Sequence, residues 1–260
     1  MNQRRRYVKF KKIFFWLGIS LLFLGLGQTM VLAKALTGVE IIKKVDANQV
    51  YSTAYFEYEM RIHVGEEIRT KKLVSYMQGR EKSFAEFVYP VRDKGVKYLF
   101  IGDNLWMYLP SVEKVIKIAG HMLRQSMAGS DMSYEDALED RGLINKYEIK
   151  LEGEEKVEGR LCYVLELVAK VKKVTYYKRK LWVDKELFLP LQAELFAKSG
   201  KKLKIMKMGK IKKFGTRYVA MYMTMQDLLK RDSLTEVIIN KVKFDLKIPE
   251  GIFSRRNLMK

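Results

Sequence analysis

Two histidines, His63 and His121, and one cysteine, Cys162, are all the imidazole and thiol chemistry this chain offers. A zinc centre of protein side chains draws on three or four such ligands, so no metal site and no cofactor is expected. His121 precedes Ser126 by five residues, and Asp131 and Asp136 follow, which lets a Ser/His/Asp grouping be drawn. Nucleophile, base and orienting acid normally converge from different elements beside an oxyanion hole, and no G-x-S-x-G surrounds Ser126. A lid segment with a surface serine and histidine is the simpler reading; lipid hydrolysis by Ser126 and His121 is the lesser alternative. The chain has neither G-x-G-x-x-G nor G-x-x-x-x-G-K-[ST], the loops that cradle phosphates. Glu152, Glu154, Glu155 and Glu158 lack calcium-loop spacing and read as a solvated turn.

Charge is the next candidate. Lys and Arg number 50 against 30 Asp and Glu, a net +20. The stretches Lys170 to Lys180 and Lys198 to Lys213 interleave Tyr176, Tyr177, Phe196 and Met206 with cations, a pattern compatible with nucleic acid. The N-terminus argues otherwise. Arg4, Arg5, Arg6, Lys9, Lys11 and Lys12 precede the uncharged apolar run Ile13 to Gly27, and Ala33-Lys34-Ala35 supplies an A-x-A site. That is the layout of a secretory signal peptide over residues 1–35 with cleavage after Ala35, an uncleaved anchor being the alternative. An exported protein meets anionic lipid headgroups rather than nucleic acid, so an anionic membrane surface is the expected partner of any binding basic face. Its simplest role is a solvated outer face with lysines blunting sheet edges. A single cysteine forms no internal disulfide, so stability rests on burial.

The elements that must position these residues are mostly strands. Thr37-Gly38-Val39-Glu40 has capping-box spacing and predicts a helix over 38–49 with a stripe of Val39, Ile42, Val45 and Val50. From Thr53 the period becomes two: Ala54, Phe56, Tyr58, Met60, Ile62 and Val64 alternate with polar neighbours. Further strands are predicted at 67–78, 83–89, 96–101, 105–109, 115–118, 147–152, 160–169, 173–183, 191–198, 203–211, 217–226 and 236–246. The four prolines fall at strand ends or between elements. Between Ala119 and Arg141 the period breaks, and two short helices, 121–128 and 133–140, are predicted as a cap or lid.

This order predicts one domain over 36–260, mostly β with short helices: a strongly curved antiparallel sheet or unclosed barrel. Its apolar face carries Phe56, Tyr58, Met60, Ile62, Phe87, Tyr98, Phe100, Trp106 and Tyr108, with Met206, Met208, Met221, Met223 and Met225. Met adapts to irregular apolar shapes, yet it also fills ordinary cores, so alternation leaves cavity and core both open.

Several runs resemble the LolA-like outer-membrane lipoprotein-sorting proteins. They are Asp93-Lys94-Gly95-Val96-Lys97-Tyr98, Gly102-Asp103-Asn104-Leu105-Trp106-Met107-Tyr108-Leu109-Pro110, and Gly129-Ser130-Asp131-Met132-Ser133-Tyr134-Glu135-Asp136-Ala137-Leu138. Trp182-Val183-Asp184, Leu189-Pro190 and the Ile248-Pro249-Glu250-Gly251-Ile252-Phe253 ending extend the likeness over most of the chain. The resemblance implies an open, curved sheet whose helices shield an apolar cavity that carries lipid or lipoprotein acyl chains across the periplasm, without covalent chemistry. It implies that Trp106, Met107 and Tyr108 form the central hairpin and that Met132, Tyr134 and Asp136 belong to the helical segment. The expected cavity is then Phe56, Tyr58, Met60, Ile62, Phe87, Tyr98, Phe100, Trp106, Tyr108, Met221 and Met223, and the expected lid is Met122, Leu123, Met127, Met132 and Tyr134. The branch resembled is associated with membrane exporters, so an inner-membrane exporter or outer-membrane acceptor is an expected partner. An accessory subunit of an envelope export complex is the competing reading.

Overall fold

The structure, a computed structural model, describes residues 35–48, 50–139, 142–172 and 174–260. The chain divides into Met1–Ala35 and Leu36–Lys260, and the leader expectation lies outside the described residues. In the second unit α1 (Gly38–Asn48) is followed by β1 (Ala54–Val64), β2 (Glu67–Gln78), β3 (Lys82–Tyr89), β4 (Lys97–Ile101), β5 (Asn104–Leu109) and β6 (Lys114–Ile118). After the connecting segment come α2 (Asp136–Glu139) and α3 (Leu143–Lys146). Then follow β7 (Tyr147–Val157), β8 (Arg160–Ala169), β9 (Lys178–Asp184), β10 (Pro190–Phe196), β11 (Lys202–Phe214), β12 (Arg217–Asp227), β13 (Ser233–Phe244) and α4 (Arg255–Leu258).

All thirteen strands form one antiparallel sheet in the order β6-β5-β4-β3-β2-β1-β13-β12-β11-β10-β9-β8-β7. Only the β1–β13 pairing is non-sequential, and it places the first and last strands at the centre. β6 and β7 are the two free edges, so the sheet is an unclosed, curved barrel, as the alternation predicts. The segment between those edges crosses the sheet. Every other pair of sequence-adjacent strands is joined directly to its sheet neighbour, by connections of two to eight residues.

Registers trace which side chains share a face. Ile62, Thr235, Met225, Met206, Ala193, Leu181 and Leu165 sit opposite one another in series from β1 to β8. This inner face packs on α1 through Ile41, Ile42 and Val45, all buried. Thr37 and Glu40 form the predicted capping box: the Thr37 amide donates to Glu40 Oε2 at 2.7 Å and the Glu40 amide to Thr37 Oγ1 at 3.2 Å. Gly38 lets the helix start lie close on β7, where a Cβ would stand 2.9 Å from Ile149 Cγ2. The predicted stripe is corrected at its ends: Ile41 replaces Val39, and Val50, beyond the helix, is 46% exposed.

The two predicted lid helices are also corrected. The segment holds 3-10 turns at Gly120–Arg124 and Met127–Gly129 and only one helical turn at α2. Ser126, Ser130 and Ser133 hydrogen-bond main-chain groups nearby, and such local bonds compete with helix. The strand predicted from Lys173 runs Lys178–Asp184, because Tyr176 turns inward: Tyr147 Oη donates to its carbonyl at 2.7 Å.

At the far end of β9, Asp184 is 1% exposed and accepts from the Arg160 guanidinium and from the amides of Glu186 (2.9 Å) and Leu187 (2.8 Å). Burial alone raises its pKa, but the Arg160 and amide hydrogen bonds outweigh burial and hold the carboxyl below its ordinary value. A folded-state pKa below the unfolded one, about 3.9, gives stability that is present above about pH 4 and lost as pH falls through the folded value. The wild-type urea midpoint is therefore expected to fall more steeply between neutral pH and about pH 3 than that of Asp184→Asn. Parallel slopes would remove Asp184 from the acid response.

Candidate functional site

The inner face carries a roomy apolar cavity of about 350 Å³. β1 contributes Phe56 and Tyr58, β11 and β12 contribute Met208 and Met223, and β13 contributes Val237 and Ile239. Phe56 and Tyr58 stack at 5.4 Å, and Tyr51, just before β1, lies 6.1 Å from Phe56. Burial pushes the Tyr58 phenol upward, so it is neutral at physiological pH. Asn48 and Arg80 stand at one end, where α1 is tied to its surroundings. Arg80 Nη2 lies 2.9 Å from Asp46 Oδ1, and Asn48 Nδ2 donates to the Leu187 carbonyl at 2.6 Å. A second, nearly filled space of about 60 Å³ under α1 shares Pro190 and Met208 with the first.

The other expected cavity residues divide into three groups. Met60 and Ile62 share the face of Phe56 and Tyr58 and are 2% and 1% exposed, but they lie farther along β1, and Met221 is buried beside Met223 without lining the space. Phe87, Tyr98 and Phe100 form a packed cluster with Leu105, and the expected lid residues Met122, Leu123, Met127 and Tyr134 fill against it. The expected lid residues thus cover a packed core, while Ala137 of the same segment reaches the cavity. Trp106 and Tyr108 are on the other face: Met107 pairs with Tyr98 and Trp106 with Leu99, so alternation points Trp106 outward. There Trp106 and Tyr108 pack with Phe84, Leu99, Ile252 and Leu258 under the C-terminal segment. Met132 is half-buried, and its carbonyl accepts from the Met127 amide at 2.8 Å.

What the Gly129–Leu138 run does is visible in its polar contacts. Asp131, 1% exposed, accepts from Ser233 Oγ at 2.5 Å and Thr235 Oγ1 at 2.7 Å, and its own amide donates to Thr235 Oγ1 at 2.8 Å. Asp136 accepts from Tyr176 Oη at 2.5 Å and pairs with the buried Lys204 Nζ at 2.6 Å. The run is a strap pinned to β13 and β11 across the inner face. Asp93 of the other resembling run caps Lys71 Nζ at 2.6 Å, which neutralises a lysine on that face.

Ser126 donates to the Ser130 carbonyl and lies 3.3 Å from Lys230 Nζ; His121 is not among its partners. His63 faces outward, with Nε2 3.0 Å from Glu236 Oε2. Cys162 is fully buried among Val164, Trp182 and Leu191, and burial pushes its thiol up to about 11, which leaves it unreactive. No group of three metal-ligating side chains occurs among the described residues.

A family model described as that of an uncharacterized protein matches residues 79–260. A DUF1329 family protein from Desulfovibrio piger is 26% identical, with TM-score 0.78 over 85% of this chain and 97% of its own. A putative outer membrane lipoprotein-sorting protein domain from Vibrio parahaemolyticus is 24% identical, with TM-score 0.78 over 86% and 98%. A LolA superfamily protein from Nitrosomonas europaea is 24% identical, with TM-score 0.71 over 86% and 100%. The chain belongs to the family of the model that matches residues 79–260, and its fold is LolA-like. No curated protein matches it. The strap and the outer cluster are both built from residues of the resembling runs. The cavity itself is lined by residues that sequence reasoning passed over, among them Tyr51, Met77, Leu189, Val237 and Ile239. Of these, Met77, Val237 and Ile239 stood in predicted strands, and only the β1–β13 pairing brings Val237 and Ile239 beside Phe56 and Tyr58.

Proposed function

We propose that this LolA-like chain is an extracytoplasmic carrier that holds lipid or lipoprotein acyl chains in the inner-face cavity and performs no covalent chemistry. One observation carries the reading: a space of about 350 Å³ lined by aromatic, aliphatic and thioether side chains at the centre of an open sheet. That volume lies within the range of small-molecule sites, about 300–1,000 Å³. Each methylene buried there contributes about 0.8 kcal/mol, so ten contribute about 8 kcal/mol, enough to offset extraction from a bilayer in large part. Met208 and Met223 adapt to chains of differing shape. The structural relative named for lipoprotein sorting supports the carrier class, and the signal-peptide layout of residues 1–35 supports export toward an exporter or acceptor in the envelope.

Native mass spectrometry of protein purified without detergent, followed by organic extraction, tests the reading. Bound phospholipid or acylated peptide is expected on a sizeable share of molecules. Protein that is empty in repeated preparations, and that recovers a membrane-protein partner on crosslinking, would replace the carrier with the accessory subunit.

A further inference from the structure

The cavity lies toward one end of the sheet, lined there by Tyr51, Gly79, Arg80 and Tyr218, and two segments that meet at that end are strongly basic. Ala54 pairs with Phe244 and with Met77, and Phe214 pairs with Arg217, which brings the start of β1, the end of β13 and the β11–β12 hairpin tip to the same end. The two basic segments touch there: the Phe214 and Phe244 rings lie 6.1 Å apart, and Arg217 Nη1 is 2.8 Å from Asp245 Oδ2. Tyr51, a cavity residue, packs on Phe244 at 5.0 Å. Residues 210–217 and 241–247 together hold seven Lys and Arg and one Asp. Arg217 is paired with Asp245 and Lys241 with Glu57, whereas Lys210, Lys212, Lys213, Lys243 and Lys247 are exposed and enter no ion pair among the described residues.

We propose that this end docks on an anionic lipid bilayer surface, so that the cavity faces the headgroups from which a chain enters. The proposal rests on the carrier reading for its purpose but not for its mechanism. Cations within a Debye length of an anionic leaflet are attracted to it additively, and aromatic rings sit well at headgroup depth. Tyr51, Phe214 and Phe244 supply such rings between the lysines and the cavity. The far end of the sheet also carries exposed lysines, Lys170, Lys172, Lys198 and Lys201, and exposed apolar residues, Val91 at 87% and Leu229 at 59%, but the residues lining the cavity do not reach its connections. It is therefore the comparator rather than the dock.

The experiment is vesicle co-sedimentation of protein purified from cells expressing the full chain, on phosphatidylcholine with and without phosphatidylglycerol. Binding is expected on the anionic vesicles, weakening with added salt. Lys212→Gln/Lys213→Gln/Lys243→Gln changes only exposed side chains and is expected to lower partitioning by about fivefold per lysine, roughly 100-fold in all. Unchanged partitioning of the triple variant, equal binding to neutral vesicles, or loss of binding in Val91→Asp/Leu229→Asp instead would overturn the docking surface. Copurified lipid is read in the same preparations. Lipid retained by a triple variant that still docks refutes docking alone, and charge-dependent docking by a protein that never holds lipid refutes the carrier alone.

Discussion

Asp131→Ala is expected to destabilise the fold by about 3–5 kcal/mol, the largest single-residue effect on stability anticipated here. The carboxylate is 1% exposed and accepts from Ser233 Oγ, Thr235 Oγ1 and, at 3.3 Å, the Asp227 amide. Its removal leaves those buried donors without their charged acceptor, and a hydrogen bond to a charged group is worth about 1.5–3 kcal/mol. The damage spreads because Asp131 holds the strap on the centre of the sheet, and the strap covers Phe87, Tyr98 and Phe100. Urea unfolding gives the cost, and dye binding to newly exposed apolar surface gives its location. Asp131→Asn, which keeps an acceptor oxygen, is expected to fall between wild type and alanine. A midpoint for Asp131→Ala within the error of wild type would show that the strap is held by Asp136 and Lys204 instead.

Val237→Phe/Ile239→Phe is expected to abolish lipid copurification while leaving the fold intact, the largest effect on the proposed function. Both side chains line the cavity from β13, and phenylalanine suits a strand. The added rings enter open space rather than a packed core, so overpacking strain stays small. Displacing even two methylenes of a bound chain costs about 1.6 kcal/mol, roughly fifteenfold in affinity. Trp106→Ala gives the contrasting result: it removes a ring from the outer cluster, so stability drops while the folded fraction still carries lipid. Lipid lost with Trp106→Ala but kept with the β13 double variant would move the site to the outer face.

These contrasts bear on what the resembling runs are for. Asp131 and Asp136 pin the strap, Asp93 neutralises Lys71, Trp106 and Tyr108 meet Ile252 on the outer face, and Asp184 closes the β9–β10 connection with Arg160. Each fixes one part of the open sheet to another. An unclosed sheet has no ladder across its gap, so side-chain ties from the crossing segment take that role. The cavity-lining residues are ordinary apolar alternates, tolerant of exchange among similar sizes.

The sequence by itself determined the class of fold and most element positions. Period-two alternation, turn residues at strand ends and the Thr37–Glu40 box are local signals, and local hydrogen bonding and pleat geometry carry them into the folded state unchanged. It also determined that Phe56, Tyr58 and Met223 point inward, since one face of each strand must be buried. Only the tertiary structure decided which inward residues enclose space and which fill it. Phe87, Tyr98 and Phe100 alternate as cleanly as Phe56 and Tyr58, yet the strap packs on the first group, while only its Ala137 borders the space beside the second. Trp106 and Tyr108 went outward because register, set by the Tyr98–Met107 pairing, fixes facing, and a one-residue difference in phase reverses it. Volume between elements depends on contacts far apart in sequence, such as the β1–β13 pairing of Tyr58 with Ile239, 181 residues on, and no local pattern encodes that distance.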